Sequence, residues 1–259
     1  MSSLANYYIL NCRGPDVPWT VIVETETNIV LHDLKEHNEL REWNKLKQKP
    51  RKYEFEVELY EGFLARVVAH FPPEWYPNIK KCRRKYRILL RVYGAPEDQL
   101  VTAKYQVSWP WYLAVEKHFV VLEADVRGSG YQSLEMSSKI WRQLGILEVE
   151  DQLKIVKYFM DNVKCLSKEG AGVFGEGYGG YTALNVMATD TQNLIQCCAA
   201  ISPITTWEHY SYTFGTQIFG SPTLDEEHKL LYERSNLLLL IKCINFCTDL
   251  REPDFRRGT

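Results

Sequence analysis

Short apolar runs broken by turn residues mark the amino-terminal part of the chain. Segments 7–12, 19–25 and 29–34 alternate or cluster apolar residues in the manner of short strands, with Gly-Pro and polar turns between them. Closely spaced strands of this kind predict a β-meander. Residues 35–52 then become polar and either helical or irregular, and they end in Lys49-Pro50-Arg51-Lys52, which predicts a domain boundary.

From residue 53 onward, strand patterns and helix patterns alternate. The predicted strands are 53–60, 63–70, 86–93, 119–125, 171–175 and 197–202, and the predicted helices are 147–164 and 179–188. The runs 86–93 and 119–125 are almost continuously apolar, which is typical of strands buried on both faces. The alternation predicts a mostly parallel sheet with crossover helices, whose ligands bind beyond the carboxyl ends of the strands.

Composition and charge narrow the possible partners. The chain has 259 residues, 45% of them hydrophobic, as in a compact globular protein. Its 31 Lys and Arg nearly balance 33 Asp and Glu, so we expect no nucleic-acid partner. The first residues lack a signal-peptide pattern, and the longest apolar run, 237–241, is far shorter than the ~20 residues that span a bilayer. We therefore expect no direct membrane insertion by this chain.

The cysteines give no metal site. There are seven, and Cys243 and Cys247 are followed by no histidine that would complete a zinc site. Composition alone leaves the redox compartment open.

A turn with four glycines joins strand 171–175 to the next predicted helix. Gly175, Gly177 and Gly180 satisfy the G-x-G-x-x-G pattern of dinucleotide-binding proteins. That chemistry also needs an acidic residue at the end of the following strand to hold a ribose, and here the strand ends in Ser202 and a proline. The sequence therefore predicts no cofactor.

The same turn fits the G-x-S-x-G nucleophile elbow, in which a serine sits on a strained turn between strand and helix. Here the serine position holds Gly177, between Glu176 and Tyr178. Glycine has no oxygen to attack a carbonyl, so covalent catalysis is lost at this position. On these residues alone, a plain glycine-rich turn without catalytic ancestry stays open.

Other segments resemble the dipeptidyl peptidase IV branch of the prolyl oligopeptidase family, and its catalytically inactive members in particular. The resemblance is carried by segment 7–15, by Arg127-Gly128-Ser129-Gly130-Tyr131-Gln132 with Glu148-Val149-Glu150-Asp151-Gln152, and by Ser202-Pro203-Ile204-Thr205 with Trp207 and Tyr210. It implies an incomplete α/β-hydrolase, a mostly parallel sheet with crossover helices, preceded by the last strands of a β-propeller. The implied parts are 1–52 (end of the propeller and linker), 53–236 (hydrolase) and 237–259 (a divergent tail), in a chain truncated at both ends.

The resemblance also implies roles for individual residues. The Tyr93 hydroxyl and the Tyr178 backbone amide fall where active members form the oxyanion hole. The pocket that accepts the substrate's proline would be formed by Tyr178, Ile204, Trp207, Tyr210 and Phe214, and Phe214 stands where the family has a tyrosine. Glu176 replaces an aromatic residue that is common in active members.

No intact catalytic residue can be named. In the family, the catalytic aspartate and histidine follow the elbow, whereas none of the six histidines here follows residue 228. By the same resemblance, Cys12 and Cys197 would pair with cysteines outside this chain. A sheet that stops near residue 202 would leave an exposed edge, from which we expect poor solubility.

The resemblance thus predicts a pseudoenzyme that serves as an interaction scaffold. Its partner would be a membrane protein such as a potassium channel, for which it acts as an auxiliary subunit, or a second dipeptidyl-peptidase-like chain, in a membrane-associated or extracellular location. The alternative is an active serine-type dipeptidyl peptidase that releases X-Pro dipeptides. That activity would need another nucleophile, and Ser129 lies on a different loop without the elbow pattern.

Overall fold

A computed structural model describes residues 6–60, 62–77, 81–222 and 226–240. In chain order, the elements are β1 (Tyr7–Cys12), β2 (Trp19–Glu24), β3 (Val30–Lys35), α1 (Asn38–Leu46), β4 (Arg51–Glu58), β5 (Leu64–Phe71), β6 (Tyr86–Val92), α2 (Trp109–Val115), β7 (Val120–Asp125), α3 (Leu134–Ser138), α4 (Leu147–Asn162), β8 (Leu166–Glu176), α5 (Tyr178–Thr189), β9 (Ile195–Ile201), α6 (Tyr212–Phe219), α7 (Glu226–Arg234) and α8 (Leu237–Leu240).

The amino-terminal strands form a separate three-stranded antiparallel sheet in the order β1-β2-β3. This confirms the predicted β-meander. Val21 and Val23 of β2 are buried, whereas every residue of β3 is exposed. The meander meets the rest of the chain at its first turn, where the Tyr105 N–H donates a 2.8 Å hydrogen bond to the Arg13 carbonyl.

The second sheet has six strands in the order β4-β5-β7-β6-β8-β9. The β4–β5 and β5–β7 pairs are antiparallel. The β7–β6, β6–β8 and β8–β9 pairs are parallel. The predicted parallel sheet with crossover helices is therefore confirmed for these last four strands. Among the described strands, β9 pairs with β8 alone and forms the edge of the sheet.

The main core lies around this sheet. All six residues of β7 are buried, as the apolar run predicts. In β6, the alternate positions are less buried, since Arg87 is exposed and the partly buried Arg91 has its guanidinium paired with Glu123. Helix α4 covers the sheet with the apolar residues that its periodicity predicts, among them Val156 and Phe159, which are inaccessible to solvent. Apolar burial on this scale is the dominant stabilising term of such a fold.

A disulfide joins Cys82 to Cys165, 83 residues apart in sequence. Cys82 precedes β6 and Cys165 precedes β8, so the bond ties together the starts of two neighbouring parallel strands. Sequence reasoning missed this pairing. The expected pairings of Cys12 and Cys197 stay predictions.

Two further expectations concern the ends of the chain. No helix in the described ranges is long and apolar enough to cross a membrane. In the predicted tail 237–259, only α8 lies within the described residues, and 241–259 lie outside them. The domain boundaries at 52 and 236 stay predictions.

Candidate functional site

Gly177 lies at the sharp turn between β8 and α5 and has a left-handed φ of 58° with ψ of −115°. Its N–H donates a 2.9 Å hydrogen bond to the Ile201 carbonyl at the end of β9. Its own carbonyl accepts the N–H of Tyr181, at 3.1 Å, which opens the helix. Side chains other than glycine are strained at such dihedrals, and in known enzymes this strain is kept where it serves a site. The predicted elbow geometry is thus present.

Gly175 and Gly177 differ in the space available for a side chain. A Cβ added at Gly175 would lie 2.2 Å from the Gly179 carbonyl oxygen, so this position has no room for a side chain. A Cβ added at Gly177 would meet no heavy atom within 4 Å. Space therefore does not require glycine at position 177, and a side chain there would point into an open region.

That open region is a cavity of about 880 Å³ at the carboxyl ends of the parallel strands. Val92, Glu176 and Ile201, which end β6, β8 and β9, all line it. This is the position predicted for a ligand site in a parallel sheet. All seven predicted site residues line the cavity: Tyr93, Gly177, Tyr178, Ile204, Trp207, Tyr210 and Phe214. Their individual roles stay predictions.

A second cavity of about the same volume lies near β4 and β5. Its lining includes Arg13, Glu54, Glu56 and Arg66, and none of the predicted site residues. We take the cavity beside Gly177 as the candidate site because it combines the elbow with the carboxyl ends of the strands.

Aromatic side chains form one wall of the candidate site. Trp207 is only 1% exposed, and its ring stacks on that of Phe214 at a centroid distance of 5.3 Å. The rings of Tyr210 and Tyr178 each lie 5.8 Å from the Trp207 ring, with Tyr210 nearly perpendicular to it. Mutually packed aromatic rings give a rigid apolar surface.

A buried carboxyl group, that of Glu148, holds the Tyr178 ring of this wall through a hydrogen bond. Glu148 of α4 is 1% exposed, and its Oε1 accepts hydrogen bonds from the Tyr178 hydroxyl at 2.9 Å and the Gly145 N–H at 2.6 Å. Burial raises the pKa of Glu148 to about 7, since the charged form loses its hydration. Burial also raises the pKa of the Tyr178 hydroxyl, and the nearby Glu148 adds to that effect. Sequence reasoning missed this role, although Glu148 belongs to a segment that carries the family resemblance.

Tyr93 lines the cavity, and its hydroxyl lies near the carboxylates of Asp98 and Glu176. Burial raises the pKa of its hydroxyl, and Asp98, Tyr210 and Glu176 raise it further. The hydroxyl is hydrogen-bonded to the Asp98 side chain, so in this structure its single proton is directed to that carboxylate.

The described residues that line this cavity do not form a catalytic triad. No described lining residue is a histidine, and Ser108 is the one serine among them. Ser129, the alternative nucleophile, is inaccessible to solvent and lies outside the cavity lining. A ligand in this cavity therefore cannot reach the Ser129 hydroxyl.

Comparisons with known proteins agree with this geometry. The family model described as "Prolyl oligopeptidase family" matches residues 105–240. Prolyl endopeptidase FAP of Homo sapiens is 30% identical over 92% of this chain and 30% of its own length. Dipeptidyl peptidase 4 of Sus scrofa is 29% identical over 92% of this chain and 30% of its own length. Inactive dipeptidyl peptidase 10 of Mus musculus is 29% identical over 92% of this chain and 28% of its own length.

Solved structures give the same fold. The dipeptidyl peptidase 4 of Porphyromonas gingivalis superposes with a TM-score of 0.83 at 23% identity, covering 93% of this chain and 33% of that one. The six-stranded unit is accordingly an α/β-hydrolase sheet, and the meander corresponds to β-propeller strands. The chain spans about 30% of the length of the curated relatives that it matches. On the family match and these relatives, the chain belongs to the prolyl oligopeptidase family.

Proposed function

We propose that this chain is a non-catalytic dipeptidyl-peptidase-like protein that acts as an interaction scaffold. One observation carries the proposal. The elbow is folded, its cavity is open, and Gly177 stands where the nucleophilic oxygen has to be. Loss of the nucleophile from a catalytic triad removes nearly all of the rate that the triad provides.

The family relationship is compatible with this function. One relative carries the name inactive dipeptidyl peptidase 10, so the family contains proteins described as inactive. By analogy with such members, the partner would be a membrane protein such as a potassium channel, bound as an auxiliary subunit, or a second dipeptidyl-peptidase-like chain. The fold alone does not identify a binding partner, so the partner is proposed from the family analogy.

The proposed location is membrane-associated or extracellular. The Cys82–Cys165 disulfide supports it, because structural disulfides persist in oxidising compartments and are rare in the cytosol.

The second candidate is a serine-type dipeptidyl peptidase that releases X-Pro dipeptides. The dipeptidyl peptidase 4 and endopeptidase relatives favour it. It would need a nucleophile other than residue 177, and Ser129 is buried away from the cavity.

Hydrolysis of Gly-Pro p-nitroanilide separates the two candidates. The proposal predicts that the purified chain gives only the background rate, while pig dipeptidyl peptidase 4 in the same buffer gives rapid release. A rate above background that a serine-directed phosphonate abolishes would show an active peptidase and would overturn the proposal.

A further inference from the structure

The cavity beside Gly177 has an acidic side chain at its mouth. Glu176 ends β8, is exposed, and is the only acidic residue among the described residues that line the cavity. Among the described residues, no hydrogen bond or ion pair engages its carboxylate. A carboxylate without a counter-ion beside a cavity favours a positively charged ligand group.

The basic residue in the same lining does not cancel this charge. Arg91 lines the cavity, but its guanidinium is paired with Glu123. His70 also lies 2.9 Å from the Glu123 carboxylate and is not among the residues that line the cavity. Because Arg91 already has a counter-ion, Glu176 sets the sign of the potential in the cavity. Asp98 adds to it near Tyr93.

The aromatic wall supplies the second feature that binds cations. The Trp207 and Phe214 rings are stacked at 5.3 Å, and Tyr210, which is 58% exposed, stands nearly perpendicular to Trp207. Trp207 is only 1% exposed and supports the other rings, whereas Tyr210 is exposed and Phe214 is half-buried. The face of an accessible aromatic ring attracts ammonium and guanidinium groups within about 6 Å of the ring centroid. The rings are held by packing against each other, so little conformational entropy is lost when a ligand binds.

Gly177 leaves the space that such a ligand group needs. Gly177 lines the same cavity as Glu176 and the aromatic wall, and no heavy atom lies within 4 Å of the place where a Cβ at residue 177 would be. A serine or larger residue would occupy this space. Glycine at this position leaves the Glu176 carboxylate and the Tyr210 and Phe214 rings accessible from one cavity.

We propose that this cavity binds a basic side chain, arginine or lysine, of a peptide segment on a partner protein. Glu176 is the counter-ion, Tyr210 and Phe214 form the wall against which the cation packs, and the buried Trp207 holds these two rings in place. The inference rests on the proposed function, because it assigns a binding role to a cavity that no longer has a nucleophile.

Isothermal titration calorimetry with blocked tripeptides tests the proposal. Acetyl-Ala-Arg-Ala-amide is the probe, and acetyl-Ala-citrulline-Ala-amide is its uncharged match. We expect the arginine peptide to bind about tenfold more tightly than the citrulline peptide, which corresponds to ~1.4 kcal/mol. Equal affinities, or no heat from the arginine peptide at millimolar concentration, would overturn the proposal.

A third peptide, Ala-citrulline-Ala-amide with a free amino terminus, distinguishes the source of the cation. We expect it to bind no better than its acetylated match. If only this peptide binds, the cavity recognises a terminal ammonium group, and the assignment to a basic side chain is wrong.

Matched variants locate the site. Glu176→Gln removes the charge and keeps the shape, and we expect it to weaken the arginine peptide about tenfold while the melting temperature stays unchanged. Glu208→Gln is the control, since Glu208 is exposed, next to Trp207, and outside the cavity lining. Unchanged binding in Glu176→Gln would contradict the proposal. Binding and hydrolysis are measured separately, so the two failures can be told apart. Loss of peptide binding leaves the proposed lack of catalysis standing, whereas peptidase activity would appear in the hydrolysis assay and would overturn the proposed function on which this inference rests.

Discussion

The Tyr178 hydroxyl donates a 2.9 Å hydrogen bond to Glu148, and this contact ties the first residue of α5 to the first turn of α4. Tyr178 also follows Gly177 directly, so the anchor lies immediately behind the elbow. The position of the cavity wall thus depends on a carboxyl group that is buried in the protein.

Glu148→Gln should change how stability depends on pH. Burial raises the pKa of Glu148 from its usual 4.5 to about 7, so between these values the unfolded carboxyl has lost its proton and the folded one has not. The free energy of unfolding therefore falls by roughly 3 kcal/mol as pH rises from 4.5 to 7, and glutamine removes this fall. Urea unfolding at several pH values measures it. Glu135→Gln, at an exposed glutamate, is the control, and an unaltered pH slope in Glu148→Gln would contradict the account.

Alanine substitutions should separate the two roles of glycine in the turn. In Gly177→Ala the added methyl group lies in open space, so only backbone strain at positive φ destabilises the variant. We expect its free energy of unfolding to fall by about 1–3 kcal/mol. Gly175→Ala places a Cβ 2.2 Å from a backbone oxygen, and we expect it to lose roughly 3 kcal/mol or more. Thermal unfolding ranks the two variants. The reverse order would mean that the elbow is folded differently.

Removing the disulfide should destabilise the protein without changing the cavity. Cross-linking residues 83 positions apart restricts the unfolded chain, and such bonds contribute about 2–4 kcal/mol. Cys82→Ser and Cys165→Ser should each lower the melting temperature, and dithiothreitol should lower that of the unsubstituted protein by a similar amount. Cys12→Ser is the control, because the Cys12 thiol forms no disulfide among the described residues and donates a hydrogen bond to the Gly14 carbonyl. No effect of the reductant would contradict the pairing.

Breaking the buried ion pair of Arg127 should have a large effect. Its Nε and Nη2 donate hydrogen bonds of 2.9 and 2.7 Å to Asp151, which is inaccessible to solvent. Arg127→Leu leaves that carboxylate buried without its counter-ion, and we expect the free energy of unfolding to fall by about 3–5 kcal/mol. Urea unfolding should show that Asp151→Leu added to Arg127→Leu recovers part of the loss. Lys45→Ala, which breaks the exposed pair with Glu42, should leave stability nearly unchanged.

The nine strands and the two longest helices of the described ranges, α4 and α5, could be predicted because their patterns are local, whereas most of the shorter helices were not predicted. The meander, the buried strand β7 and the periodicity of α4 all follow from the spacing of apolar residues. The order of strands could not be predicted from those patterns, since the exchange of β6 and β7 in the sheet depends on crossover connections. β8 begins at Leu166, before the predicted residue 171, because Ser167 and the polar residues after it gave no strand signal.

The candidate site was predictable where a motif or resemblance marked it, and missed elsewhere. Gly177 and the aromatic residues were found this way, and the structure brings them to one cavity. The anchor at Glu148 was missed because a glutamate in the first turn of a helix usually faces solvent and interacts with the helix dipole. The Cys82–Cys165 pair was missed because sequence spacing does not determine which cysteines join.

Covalent labelling tests the central claim, that no nucleophile remains at the elbow. The chain is incubated with a biotinylated fluorophosphonate, which reacts with activated serines, and its intact mass is measured beside pig dipeptidyl peptidase 4 as the positive control. The account predicts that the control gains one adduct and this chain gains none, because Gly177 has no side-chain oxygen. A stoichiometric adduct, mapped by peptide sequencing to a residue that lines the cavity, would contradict it.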